Sequence, residues 1–247
     1  MTIRVFTDLQ ILGIGFAERW IALSEQAIAE RGQFHVALTG GSTPRHLYET
    51  LARPEFADRV VWQYVHIYFG DERCVPPDHT DSNFRMANET LLRHIPIPAG
   101  QIHRMQGELP DAHEAARAYA ELLVAHAPKS ADGNVQFDLV LLGLGPDGHI
   151  ASLFLATPIL QERKQLAAAV YVEKLDSWRI SVTLPVINNA RQMLMLATGV
   201  GKAEIVKRAL ASEPQSPPLP VQMLAPAGTM DWYLDADAAQ LINGHHL

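Results

Sequence analysis

Residues 137–154 read FDLVLLGLGPDGHIASLF. The opening FDLVLL is a mainly apolar run without alternation, the pattern of a strand covered on both faces. The chain then turns through Gly143-Leu144-Gly145-Pro146-Asp147-Gly148 and meets a histidine, His149. A covered strand that opens directly into a glycine turn predicts a member of a parallel sheet with a functional loop at its carboxyl end.

The same succession of short apolar run, turn and helical pattern recurs in both directions. Apolar runs lie at 3–6 (IRVF), 34–40 (FHVALTG), 65–71 (VHIYFGD), 167–175 (AAAVYVEKL) and 192–199 (QMLMLATG). Helical patterns lie at 14–31, 44–52, 83–93, 111–127 and 202–211, the last with Ile205, Val206 and Leu210 on one stripe. Alternating strand and helix predicts an α/β fold with a mostly parallel central sheet flanked by helices. The proline-rich SEPQSPPLP (212–220) reads as a surface connection to a last strand near VQMLAP, not as a domain linker, so residues 1–247 are expected to form a single domain.

Hydrophobic residues make up 48% of the chain and charged residues 19%, ample for a sizeable core. The net charge of -7 argues against a broad nucleic-acid footprint, so an anionic substrate needs its own local patch of positive potential. Cys74 is the only cysteine, which excludes an intrachain disulfide and fits a reducing compartment. No apolar run approaches the roughly 18–20 residues of a membrane span, and the first residues lack the pattern of a secretory signal. A cytoplasmic protein with no membrane partner is expected.

Three further loops follow apolar runs. Thr39-Gly40-Gly41-Ser42-Thr43-Pro44 leads from FHVAL into a helix. Glycines let backbone N–H groups approach an anion, and a helix start adds a positive dipole end. Ser42 and Thr43 are expected to cap that helix or donate to phosphate, with Pro44 at its first position; an ordinary capped turn explains the loop equally well. In Phe69-Gly70-Asp71-Glu72-Arg73-Cys74-Val75-Pro76, Arg73 offers a planar fork suited to phosphate, or pairs with Asp71 or Glu72 structurally. Cys74 has no partner that would make it a nucleophile and reads as a packed thiol. Gly199-Val200-Gly201-Lys202 is not a Walker A loop, but Lys202 offers a point charge at a helix start, or is a solvated surface lysine.

The 143–148 turn formally fits G-x-G-x-x-G, with Glu173 further on, so a dinucleotide-dependent oxidoreductase is one reading. Asp147 and His149 support another. A neutral imidazole takes a proton from water near pH 7, and a carboxylate two residues away orients the ring or holds substrate. A lone histidine is usually structural; one beside a carboxylate on a glycine turn is more often functional. No metal is expected: Arg117 stands where H-E-x-x-H would need its second histidine after His113-Glu114, and His66, His79, His94 and His103 are scattered.

Together these segments resemble the 6-phosphogluconolactonase family, within the wider group that includes glucosamine-6-phosphate deaminases. The resemblance rests on ALTGGSTPRHLYETL, YFGDERCVPPDHTDSNFRM, FDLVLLGLGPDGHIASLF, RISVTLPVINNARQMLMLATGVGKA and PAGTMDWYLDADAA, in order over most of the chain. It implies a Rossmann-like three-layer fold and hydrolysis of 6-phosphoglucono-1,5-lactone to 6-phosphogluconate in the oxidative pentose phosphate pathway, with no cofactor. It carries the general base onto His149 with Asp147 as its neighbour. Phosphate recognition falls on Gly41, Ser42, Thr43, Arg73 and Lys202, and a further substrate contact on Arg179. The implied partner is a small phosphorylated sugar lactone, and the chain a monomer or homodimer.

The deaminase remains the alternative within that group. Its motif resembles D-G-H-I-A-F-N-E-P, whose glutamate transfers protons; Phe154 occupies that position here, and Arg73 replaces the tyrosine of D-E-Y. Ile150 stands where lactonases often carry threonine and deaminases isoleucine, and Leu155 where the motif usually continues with proline. A non-catalytic sugar-phosphate sensor would need no base at 149.

Overall fold

Apolar runs without polar alternation have to be covered on both faces, and the computed structural model buries FHVAL, VHIYF, LVLLG and QMLMLA in a six-stranded sheet flanked by helices, with IRVF only partly covered at its edge. The structure describes residues 1–213 and 216–242. The strands are β1 (Thr2–Phe6), β2 (Phe34–Leu38), β3 (Val65–Phe69), β4 (Asp71–Arg73), β5 (Leu139–Gly143), β6 (Ala167–Val172), β7 (Ser177–Val182), β8 (Gln192–Ala197) and β9 (Thr229–Asp235). The helices are α1 (Leu9–Arg31), α2 (Ser42–Leu51), α3 (Pro54–Ala57), α4 (Asn83–Thr90), α5 (Ala112–His126), α6 (Leu184–Asn188), α7 (Ala203–Ala209) and α8 (Ala236–Ala239).

The large sheet is parallel throughout, in the order β1-β9-β8-β5-β2-β3. From β2 the chain crosses to β3 on one side; from β5 it crosses to β8 on the other. The winding reverses between β2 and β5, and the crevice outside their carboxyl ends is where such sheets bind ligands. A smaller antiparallel sheet, β4-β7-β6, continues from the end of β3. Gly70 joins the two: its N–H donates to the Leu38 carbonyl at 2.8 Å, and its own carbonyl accepts from Val182 at 2.9 Å. Buried apolar residues of both sheets belong to one contiguous cluster. Each large side chain fully enclosed there, Trp20 and Phe34 among them, stabilises the fold by roughly 1.5–3 kcal/mol.

Two buried tyrosines clip helices to the strand ends that matter for the site. The Tyr48 hydroxyl of α2 binds both backbone groups of Thr39, and that of Tyr119 on α5 binds both of Phe69. No helix of the described residues is long and apolar enough to cross a membrane.

Several elements depart from the sequence expectation. The run at 167–175 is not part of the parallel sheet: β6 stops at Val172 and pairs antiparallel with β7, a strand hidden in RISVTLP. VQMLAP is not the last strand; Pro220–Met223 form a 3-10 turn and the strand is β9, seven residues of which six are buried. Pro220 and Pro226 flank that stretch and supply no N–H to a ladder. α1 starts at Leu9, before the expected residue 14, because Asp8 accepts from the N–H groups of Gln10 and Ile11 and caps it there.

Four histidines gather beside the sheet. His35 of β2 and His66 of β3 are register partners with ring centroids 4.6 Å apart. His66 Nδ1 lies 3.2 Å from His103 Nε2 in nearly parallel rings, a bond that needs one N–H and one bare nitrogen. His126 lies beside His103, and the Tyr68 hydroxyl donates to the His126 carbonyl. Burial, reinforced by the neighbouring imidazoles, pushes His35 down to about 3 and His103 down to about 4.

Candidate active site

β2 and α2 are separated by three residues, and Gly41 makes the turn with φ 112 and ψ 174, a backbone conformation that residues with side chains avoid. Gly41 is thus the N-cap residue, which corrects the expectation for its neighbours. Ser42 and Thr43 lie inside the first turn, Pro44 is its third residue, and no side chain caps the helix. Thr43 Oγ1 instead meets Thr198 Oγ1 at 2.6 Å, and Ser42 is exposed. The uncapped N–H groups of this turn and its dipole end are free for an anion.

The turn after β5 folds back on itself. Gly148 takes φ 81, its N–H donates to the Gly145 carbonyl at 3.0 Å, and Gly145 N–H donates to the His149 carbonyl at 2.9 Å. This places the imidazole directly over Gly145, where a Cβ would stand 2.0 Å from His149 Nδ1. His149 Nδ1 lies 2.5 Å from Asp147 Oδ1. An ionised carboxylate only accepts, so Nδ1 carries a proton, and in the neutral ring the lone pair is on Nε2. Burial works to raise the Asp147 carboxyl, but hydrogen bonds from His149 and Lys174, with their charges, outweigh it and hold it well below the usual carboxylate range. Phe154 stacks on the imidazole with ring centroids 4.0 Å apart. No helix follows this turn, so a pyrophosphate would find no helix end there, which removes the main support for a dinucleotide site.

The loops after β2 and β5, with the turn after β8, surround a cavity of about 210 Å³ at the winding reversal. Gly41, Ser42, Thr43, His149 and Lys202 all line it. Lys202 is not a solvated surface lysine: it is part-buried, Nζ donates to the Leu144 carbonyl at 2.7 Å, and burial lowers its pKa against the pull of Asp147. Asp71 also lines the cavity, buried and bonded to Ser152 Oγ at 2.7 Å. Sequence reasoning placed Asp71 only as a structural partner for Arg73; its position where β3 gives way to β4 was the available signal.

Arg73 and Arg179 do not line this cavity. They face each other across the β4–β7 ladder. Arg73 is not paired with either acidic neighbour: Glu72 is occupied by the N–H groups of Arg73, Asn83 and Phe84 and by Ser82 Oγ, Asp71 by Ser152 and Asn83. The Arg73 guanidinium donates to the Asp81 carbonyl. The Nε atoms of both arginines are buried without a partner among the described residues, and burial, then the charge of Arg73, lowers the pKa of Arg179. Two adjacent guanidiniums with unused donors favour an anion between or beside them. Cys74 is a part-buried thiol that burial pushes up to about 11, so it is inert.

Roomier clefts lie elsewhere. One of about 480 Å³ sits at the amino ends of the strands, where Asp138 already engages Arg31 and Arg191; another, of about 770 Å³, lies between α5 and β6. Neither has a histidine paired with a carboxylate.

The family model described as glucosamine-6-phosphate isomerases/6-phosphogluconolactonase matches residues 8–232. A 6-phosphogluconolactonase of Synechocystis sp. is 39% identical over 216 residues, which cover 87% of each chain. The solved 6-phosphogluconolactonase of Trypanosoma brucei superposes with a TM-score of 0.87 at 28% identity, over 98% of each chain. A monomeric glucosamine-6-phosphate deaminase superposes with a TM-score of 0.80 at 19% identity, over 98% of this chain and 100% of that one, a likeness of fold alone.

Proposed function

The chain belongs to the glucosamine-6-phosphate isomerase/6-phosphogluconolactonase family, and we propose that it hydrolyses 6-phosphoglucono-1,5-lactone to 6-phosphogluconate with His149 as general base. The observation that carries this reading is the Asp147–His149 pair at the cavity, with the apolar Phe154 against its ring. Phe154 cannot move protons, which favours ester hydrolysis over the proton relay that opening an amino sugar requires.

In the proposed reaction, His149 Nε2 takes a proton from water as the water oxygen attacks C1 of the lactone. The C1–ring oxygen bond then breaks, and the imidazolium returns the proton to that oxygen. Asp147 keeps Nδ1 protonated and steadies the transient positive charge. General-base help of this kind is worth roughly 10²–10⁴-fold. The Gly41-Ser42-Thr43 turn and Lys202, which line the cavity, and Arg73 outside it are proposed to hold the phosphate, with Arg179 as a further substrate contact, which turns binding energy into orientation of C1. Backbone N–H groups of the glycine turn are proposed to meet the developing oxyanion. No step calls for a metal or cofactor.

The test offers freshly generated lactone and glucosamine 6-phosphate in parallel, following acid and ammonia release against a protein-free control. Acid release above the spontaneous rate, without ammonia, is expected; ammonia without acid sinks the proposal. In the same assay Arg73→Ala and Lys202→Ala should raise KM several-fold with kcat largely kept. An unchanged KM removes the altered residue from the phosphate site.

A further inference from the structure

Lys174 has no task in the reaction above, yet it touches the carboxylate that orients the base. It sits in the turn between β6 and β7, where Glu173–Leu175 form a 3-10 turn and Asp176 takes φ 45. Six register pairs, from Ala167–Val182 to Val172–Ser177, brace that hairpin. Lys174 Nζ donates to Asp147 Oδ2 and lies 4.6 Å from the centroid of the Phe154 ring. Phe154 stacks on His149, and Asp147 Oδ1 holds His149 Nδ1. Four side chains, the base among them, therefore form a closed ring, three from the loop after β5 and one from the β6–β7 turn.

We propose that Lys174 is a positioning residue: it fixes the Asp147 carboxylate against His149 and offsets part of its charge. The proposal rests on His149 being the base. A carboxylate against Nδ1 aligns the ring but also favours the imidazolium, the form that cannot accept a proton. A cation on the other carboxylate oxygen opposes that effect while keeping the alignment. The aromatic face of Phe154 gives the ammonium a second attractive surface, which keeps it over the pair. Lys202, from the turn after β8, and Asp71, from β4, line the same cavity but make no hydrogen bond to the ring.

The experiment measures kcat and KM between pH 5.5 and 8 for the unaltered chain, Lys174→Met, Lys174→Arg and His149→Asn, each corrected for spontaneous hydrolysis. In Lys174→Met the acidic limb of kcat/KM should move to higher pH, because the half-exposed cation beside the carboxylate is gone. KM should stay within about twofold, since KM reports binding that Lys174 does not supply. Lys174→Arg, which keeps the charge, should hold the limb in place. A uniform loss of rate with the limb unmoved makes Lys174 merely structural and overturns the proposal. A raised KM with the limb unmoved makes it a substrate ligand and also overturns it. Turnover by His149→Asn removes the base itself and the proposal with it; an inactive His149→Asn beside an unmoved limb in Lys174→Met sinks only the role of Lys174.

Discussion

His149 has a carboxylate against Nδ1 and a quarter of its side chain open to solvent, whereas His35 and His103 are buried against other imidazoles and Tyr68. The residue type is the same; the surroundings assign opposite work. The first ring can exchange protons with water and has a charged partner to steady the result. The others lie where a charge is costly, and their ring nitrogens meet another imidazole, the Tyr68 hydroxyl or the Gln33 amide oxygen, none of them a carboxylate. Clustering alone thus leaves these histidines in uncharged company, whereas one aspartate two residues away gives His149 the surroundings that the proposed base requires.

The comparison breaks first at His149. Replacing it by asparagine should lower kcat by about 10²–10⁴-fold while KM changes little; near-normal turnover would put the two neighbourhoods on an equal footing. Next in size is Gly145→Ala. Its methyl group would stand 2.0 Å from Nδ1, so the ring or the turn must move, and a displacement near 1 Å costs on the order of 100-fold in kcat. Unchanged kcat would show that the ring's seat on Gly145 does not matter. The smallest effect concerns stability. Because burial lowers both rings, the unfolded chain takes up protons that the folded chain refuses. Stability present above pH 6.5 is thus lost as the pH falls through 6.5 toward about 4 for His103 and about 3 for His35. His103→Gln should therefore lose less of its Tm than the unaltered chain does between pH 7 and 5, with lactone hydrolysis intact. An identical slope would mean that His103 is not held neutral.

What could be read in the sequence followed from local pattern. Unalternating runs such as FHVAL and FDLVLL marked buried parallel strands, because only sheets covered on both faces tolerate them. The glycine turns marked loops at strand ends, and the Asp147–His149 spacing placed the two side chains within reach. β7 was missed because SWRISV mixes exposed and buried positions, and β9 because proline drew attention to the segment before it. Lys174 was out of reach for another reason. It lies 27 residues from Asp147, in the turn between two strands of the other sheet, so nothing local announces their meeting. The two Nε atoms left without partners on Arg73 and Arg179 are likewise a tertiary fact: sequence offered Glu72 as a partner, and backbone N–H groups took it first.

Gly70 splits its two backbone groups between the sheets, one to Leu38 and one to Val182. The next residue, Asp71, opens β4 and accepts from Ser152 of the turn after β5, while Lys174 of the β6–β7 turn donates to Asp147. The loop that carries the imidazole and the sheet that carries the guanidiniums are thus fastened at several points, so a shift of the small sheet would be felt by both.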